Sequence, residues 1–116
     1  MQHFCTLKQS CDFKTIYKKG SEIKTRFLVV KYCHKKNTKQ NKQTSQYPLL
    51  GITISRKIGK AVKRNLIRRR LKAIFDHYCK HHNITNLALS FYTKKAVIYA
   101  SFQELKKDVD KILKSV

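Results

Sequence analysis

The chain has 116 residues, with 27 Lys or Arg against 6 Asp or Glu and a formal charge of +21 at neutral pH. That length predicts one domain with a modest core, and so large a surplus opposes folding by self-repulsion and points to a polyanionic partner. No apolar run approaches a membrane span, there is no Trp to seat a helix in a bilayer surface, and the start lacks a signal-peptide core; the expected setting is the cytoplasm, with no membrane role.

In chain order, residues 1–9 predict a loosely held basic arm. From Ser10 or Cys11 to Lys19, the apolar residues Phe13, Ile16 and Tyr17 recur at helical spacing, and Gly20 supplies the stop. Residues 26–33 are rich in β-branched and aromatic side chains and predict a strand. Residues 35–46 contain only Lys, Asn, Gln, Thr and Ser; with nothing to bury, they predict a mobile polar loop. Across it, residues 27–33 and 49–55 are expected to pair as a hairpin, with a bulge at Gly51.

A long helix follows. Between Arg56 and Lys72 there are nine Lys or Arg in seventeen residues and no acid. On a helical wheel, Ile67, Leu71, Ile74, Phe75 and Tyr78 gather on one face, the pattern of a helix packed on a core. Asn65, Arg68, Arg69 and Lys72 form a separate sector, with Arg64 on its border. Arg64, Arg68 and Lys72 are like charges at i, i+4 and i+8, a spacing that opposes helix formation, so a polyanion that neutralises them is the better reason for their presence than a solvated surface. After a turn at 83–86, residues 87–93 alternate as a strand with one covered face. Ser101 to Glu104 is a capping box, and Leu105, Val109, Ile112, Leu113 and Val116 mark the last helix. The order α-β-β-(β)-α-β-α predicts a small α+β two-layer sandwich, with helices packed on a mostly central sheet, and the charge makes residues 1–116 a single nucleic-acid-binding domain.

Residues 54–65, Ile-Ser-Arg-Lys-Ile-Gly-Lys-Ala-Val-Lys-Arg-Asn, followed by Ile67-Arg68-Arg69 and Phe75, resemble the signature of the bacterial ribonuclease P protein subunit. In that family a strand ends in a Ser-basic-Lys-hydrophobic-Gly segment, and a helix then opens on an arginine–asparagine–arginine motif. Two positions depart from the pattern. Leu66 stands where the second arginine is usual, leaving the charge to Arg68, Arg69 and Arg70, and Thr93-Lys94-Lys95 stands where an arginine is frequent. The resemblance implies the same element order, with a left-handed β-α-β crossover. It also implies that Asp12-Phe13 through Tyr17-Lys18-Lys19-Gly20 is the first helix, whose aromatics line a cleft for the single-stranded 5′ leader of precursor tRNA. On spacing alone Phe13 and Tyr17 read as core; one residue can serve both purposes.

Chemistry on the protein itself is poorly supported by its residues. Of the carboxylates only Glu104, Asp108 and Asp110 are close in sequence, and they stand among lysines, so neither a two-metal site nor an acid–base pair is expected, and no catalytic residue is assigned. His77, Cys79, His81 and His82 lie close together but lack the second ligand pair of a structural zinc site. Cys5, Cys11 and Cys33 are scattered and, with Cys79, read as small apolar residues or idle thiols. The resemblance implies an RNA subunit that cleaves precursor tRNA with Mg2+, while the protein secures RNA and substrate, with no protein partner implied. Expected contacts to the RNA subunit are Arg56, Lys57, Lys60, Arg64, Asn65, Arg68, Arg69 and Lys72, since a guanidinium meets phosphate in two hydrogen bonds and the Asn65 amide can both donate and accept. Expected leader contacts are Phe13, Tyr17 and Tyr32, whose rings can stack on any base. The alternatives are a small basic ribosomal protein, an architectural DNA binder and a stand-alone nuclease using histidines. The spacing over residues 54–65 argues against the first.

Overall fold

A computed structural model describes residues 3–8, 10–38, 47–82 and 84–116. The sheet is centred on the strand latest in the chain, Leu87–Thr93 (β5). It is flanked by Leu28–His34 (β3) and Leu49–Thr53 (β4), with Ser21–Lys24 (β2) outside β3 and the two-residue Cys5–Thr6 (β1) outside β4. β5 runs parallel to β4 and antiparallel to β3. Three helices complete the chain: Ser10–Lys19 (α1), Ala61–His81 (α2) and Phe102–Lys114 (α3). The α+β sandwich expected from the element order is therefore present, and α1 adds cover on the second face of the sheet.

The larger core lies between the sheet and α2 with α3. Ile67, Leu71, Ile74, Phe75 and Tyr78 are the buried residues of α2, the set that its periodicity predicts. They meet Leu28, Val30, Leu50, Leu89 and Phe91 from the strands and Leu105, Val109, Ile112 and Leu113 from α3. Phe75 is the centre, with Phe4 and Phe91 edge-on to it at ring-centroid distances of 5.4 and 5.8 Å, the arrangement aromatic quadrupoles favour. On the opposite face a smaller cluster joins Leu7, Ile16, Cys33, Leu49 and Ala88, with Phe13 packed against it. α3 begins with the expected reciprocal cap: the Glu104 amide donates to Ser101 Oγ at 3.2 Å, and the Ser101 amide donates to Glu104 Oε1 at 3.1 Å.

Several expectations are corrected. Residues 27–33 and 49–55 do not form a hairpin, because β5 lies between β3 and β4. A long polar connection does not impose pairing as a tight turn does. β5, buried from Ala88 through Phe91, needs a neighbour on each edge. No bulge occurs at Gly51, which pairs in register with Ser90 between Leu50↔Leu89 and Ile52↔Phe91. The loose arm is not loose over residues 3–8: β1 pairs with Leu49 and Leu50, Phe4 and Leu7 are 3 % and 4 % exposed, and His3 Nδ1 lies 3.2 Å from Asp76. Burying a Phe or Leu side chain contributes about 1.5–3 kcal/mol, ample reason for a short arm to dock. The supposedly unburied loop also begins with two buried residues, Lys35 and Thr38. Lys35 Nζ donates to the Tyr47 carbonyl at 2.8 Å. Positions 39–46 lie outside the described residues.

Candidate nucleic-acid interface

Because one stripe of α2 is fixed in the core, its other side is held facing outward. Asn65 and Arg69 are exposed and Arg64, Arg68 and Lys72 half-buried. Val62, Asn65, Arg68, Arg69 and Lys72 line a shared groove along the helix. Leu66, at the position of the missing arginine, is half-buried, while the neighbouring Arg69 projects into solvent. Ahead of α2, Ser55 caps a 3-10 turn, Arg56–Ile58, by accepting from the Lys57 amide at 3.2 Å. Ile58 is buried there, whereas Arg56, Lys57 and Lys60 stay exposed. Gly59, with φ of 147°, makes the change of direction from this turn into α2, a conformation that other residues rarely adopt.

No ion pair among the described residues neutralises this surface. Glu22 faces Lys24 and Lys31, each at 3.9 Å, and Asp76 faces His3. Asp108 accepts from the Thr25 hydroxyl, and Glu104 is engaged in its cap. The partner of Asn65 is a basic neighbour, since Arg68 Nη1 donates to Asn65 Oδ1 at 3.4 Å. α2 also starts without a side-chain cap on Lys60 and without an acid in its first turn, so its first amides and the positive end of its dipole remain open to an anion.

On the α1 side of the sheet, Phe13 and Tyr17 lie one turn apart. Ile16, wholly buried, anchors the helix, Phe13 is half-buried, and Tyr17 is 63 % exposed. Lys31 Nζ sits 3.6 Å from the Tyr17 ring centroid, a cation–π contact that occupies one ring face. Phe13, Lys14, Tyr17, Lys18 and Tyr92 line one hollow. Phe13 also lines a second hollow together with Gly51, Ile52, Arg68 and Lys72. The aromatic cleft and the cationic side of α2 thus meet at Phe13.

Tyr32 does not join them. Strand side chains alternate in direction, so Lys31 and Cys33 face α1 while Tyr32 packs with the α2–α3 core on the other face. Sequence reasoning instead missed Tyr92. It shares parity in β5 with Ala88, a member of the α1-side cluster, and this alternation was the available signal.

The histidine-rich end of α2 forms a different environment. His77 and His81 approach edge-on at 4.7 Å, and His82 stacks on Tyr78 at 4.0 Å. Among the described residues no three His, Cys, Asp or Glu side chains gather as a metal site. Burial, with Asp76 adding to it, pushes the Cys79 thiol up to about 12. Burial likewise raises Cys33, so neither is a ready thiolate.

Comparison with known proteins matches residues 1–116 to the family described as Ribonuclease P. The chain belongs to the ribonuclease P protein family. It is 38 % identical over 73 residues to the ribonuclease P protein component of Carboxydothermus hydrogenoformans, an overlap of 63 % of this chain and 58 % of that protein. With the component from Clostridioides difficile, identity is 27 % over 108 residues, covering 93 % and 88 % of the two chains. A solved Staphylococcus aureus RNase P protein mutant, described as defective in mRNA degradation activity, superposes with a TM-score of 0.79 at 29 % identity, covering 94 % of this chain and 85 % of that one. The family membership makes this chain a protein subunit of an RNA-based endoribonuclease that processes the 5′ leaders of precursor tRNA. Among the described residues no helix is long and apolar enough to cross a membrane.

Proposed function

We propose that the two surfaces divide the work of the subunit. The side of α2 with its preceding turn (Arg56, Lys57, Lys60, Arg64, Asn65, Arg68, Arg69 and Lys72) binds the catalytic RNA subunit in the cytoplasm. The cleft of Phe13 and Tyr17, extended by Tyr92 and Lys31, holds the 5′ leader of precursor tRNA. The observation that carries this reading is that Phe13 lines both hollows, so a strand stacked in the cleft runs directly onto Arg68 and Lys72 of α2. The base stacks on the ring face of Tyr17 that Lys31 leaves open, and the exposed Lys14 and Lys18 meet the flanking phosphates. Stacking of this kind is worth about 1–3 kcal/mol per base and tolerates any sequence, which suits leaders that differ among tRNAs.

The Mg2+ implied for the reaction does not fit the protein surface: the donors there are cationic and would repel a dication, so the ion is assigned to the RNA. The protein contributes by screening repulsion between phosphates where two RNAs meet, a long-range effect that weakens with salt. The test is cleavage of precursor tRNA by protein alone, RNA alone and the mixture. The mixture is expected to cleave at magnesium concentrations where the RNA alone fails, with the protein alone inert. Cleavage by the protein alone at the leader junction would refute this division.

A further inference from the structure

Tyr99 belongs to neither surface described above. It ends the 3-10 turn Lys95–Tyr99 and is 84 % exposed, above Val62, Tyr17 and Phe102 among the exposed large apolar side chains. An aromatic ring left in water forgoes the burial that normally holds it, yet its base is firmly set. Val97 and Ala100 are buried, the Lys94 amide donates to the Phe27 carbonyl at 2.8 Å, and Lys94 Nζ donates to the Thr25 carbonyl at 2.7 Å. Ala96, Val97 and Ile98 pack into the core beside α2 and α3, on the opposite side of the sheet from Phe13 and Tyr17.

The turns around Tyr99 carry exposed cations. Its turn packs against Arg56–Ile58, where Arg56 and Lys57 are exposed, and Lys95 is exposed on the turn itself. Between Glu22 and Glu104 the sequence holds a single acid, Asp76, and that one faces His3. The first two acids that follow the turn are both engaged, Glu104 with the Ser101 amide and Asp108 with the hydroxyl of Thr25, the residue whose carbonyl takes the Lys94 ammonium. An exposed ring on a fixed turn, packed beside a second turn that carries an exposed Arg and an exposed Lys, has the composition of a single-strand stacking site.

We infer that Tyr99 is a second stacking platform, which takes an unpaired base of the RNA subunit at the amino-terminal end of α2 while Arg56 and Lys57 hold the adjoining phosphates. This rests on the reading that α2 binds that RNA, and it adds a base contact on the far side of the sheet from the leader cleft. Phosphate contacts position a nucleic acid without reading it, whereas a stacked base selects unpaired from paired segments. The platform therefore directs the cationic end of α2 to a loop or bulge in the folded RNA.

The chain contains no Trp, so Tyr99→Trp introduces a unique fluorophore at the proposed site. Titrated with the RNA subunit, its emission is expected to be quenched and shielded from acrylamide, with affinity kept. Tyr99→Ala is expected to weaken RNA-subunit binding by roughly 5- to 100-fold, equally with and without leader-bearing tRNA, and with an unchanged melting temperature because the ring is exposed. Arg68→Ala is measured in parallel. Loss with Arg68→Ala but none with Tyr99→Ala, or an indole that stays solvent-accessible in the complex, overturns the platform and leaves the proposed function standing. Failure of the unaltered chain to bind the RNA overturns both.

Discussion

The ring of Phe13 lies directly on Gly51. A Cβ built at Gly51 would come within 2.5 Å of Phe13 Cε1 and 2.6 Å of Cζ, so the aromatic wall of the cleft exists only because this strand position has no side chain. Gly51→Ala is expected to push Phe13 out of place, costing about 1–3 kcal/mol as overpacked sites do. Denaturant unfolding measures the first effect. Affinity for leader-bearing tRNA, expected to fall further than affinity for mature tRNA, measures the second.

For α2, Arg68→Ala and Arg64→Ala should each weaken binding to the RNA subunit and flatten the log–log salt dependence by roughly 0.7–0.9 for each phosphate no longer neutralised. Neither side chain has a carboxylate partner among the described residues, so folding stability should change little. An unaltered salt slope would show that the side chain does not touch phosphate.

In the cleft, Tyr17→Ala should reduce affinity for leader-bearing tRNA by roughly 5- to 100-fold and leave mature tRNA nearly untouched. Tyr32→Ala should have no such selectivity, since that ring packs into the α2–α3 core; its effect should appear in thermal stability. Equal loss on both substrates for Tyr17→Ala would mark its ring as structural.

Hydrogen bonds from the Ser101 backbone and side chain hold the Glu104 carboxyl below the usual glutamate range. Its support for α3 is therefore complete above the unfolded value and lost as pH falls through the folded one. Glu104→Gln keeps an acceptor but cannot titrate. Its melting temperature should lose this acid-side component, whereas Ser101→Ala should cost about 1 kcal/mol near neutral pH.

Thiol alkylation at neutral pH should be slowest at the buried Cys33 and at the partly exposed Cys79, whose thiols burial raises above the usual value. Cys5 and Cys11, each partly exposed, should be modified first. Peptide mass spectrometry along a denaturant series reads this order directly.

The parts legible in the sequence were those written in local spacing. The buried stripe of α2 repeats at helical intervals, and the cap of α3 spans four residues. Pairing across the sheet left no such mark. β3 and β4 are adjacent in sequence and look like hairpin partners, but the strand between them comes thirty-four residues after β4 ends. The faces of β3 were equally hidden: moving from Lys31 to Tyr32 is a shift of one position, and one position exchanges the two sides of a sheet. β1 is too short to carry a period at all. For Tyr92 the alternation of β5 was the only local mark, and which face it meant was set by the place of β5 between β3 and β4.

The position of β5 has a consequence for synthesis on the ribosome. Until Thr93 has emerged, β4 has only β1 beside it and β3 only β2, so the nascent chain consists of two unjoined ribbons. The arginine-rich helix is then already exposed while the parts of its hydrophobic bed that come from β5 and α3 are missing. Closing the sheet requires contacts between distant parts of the chain, which form slowly. A message truncated before the codons for β5 would thus release a strongly cationic product able to adhere to RNA and unable to fold.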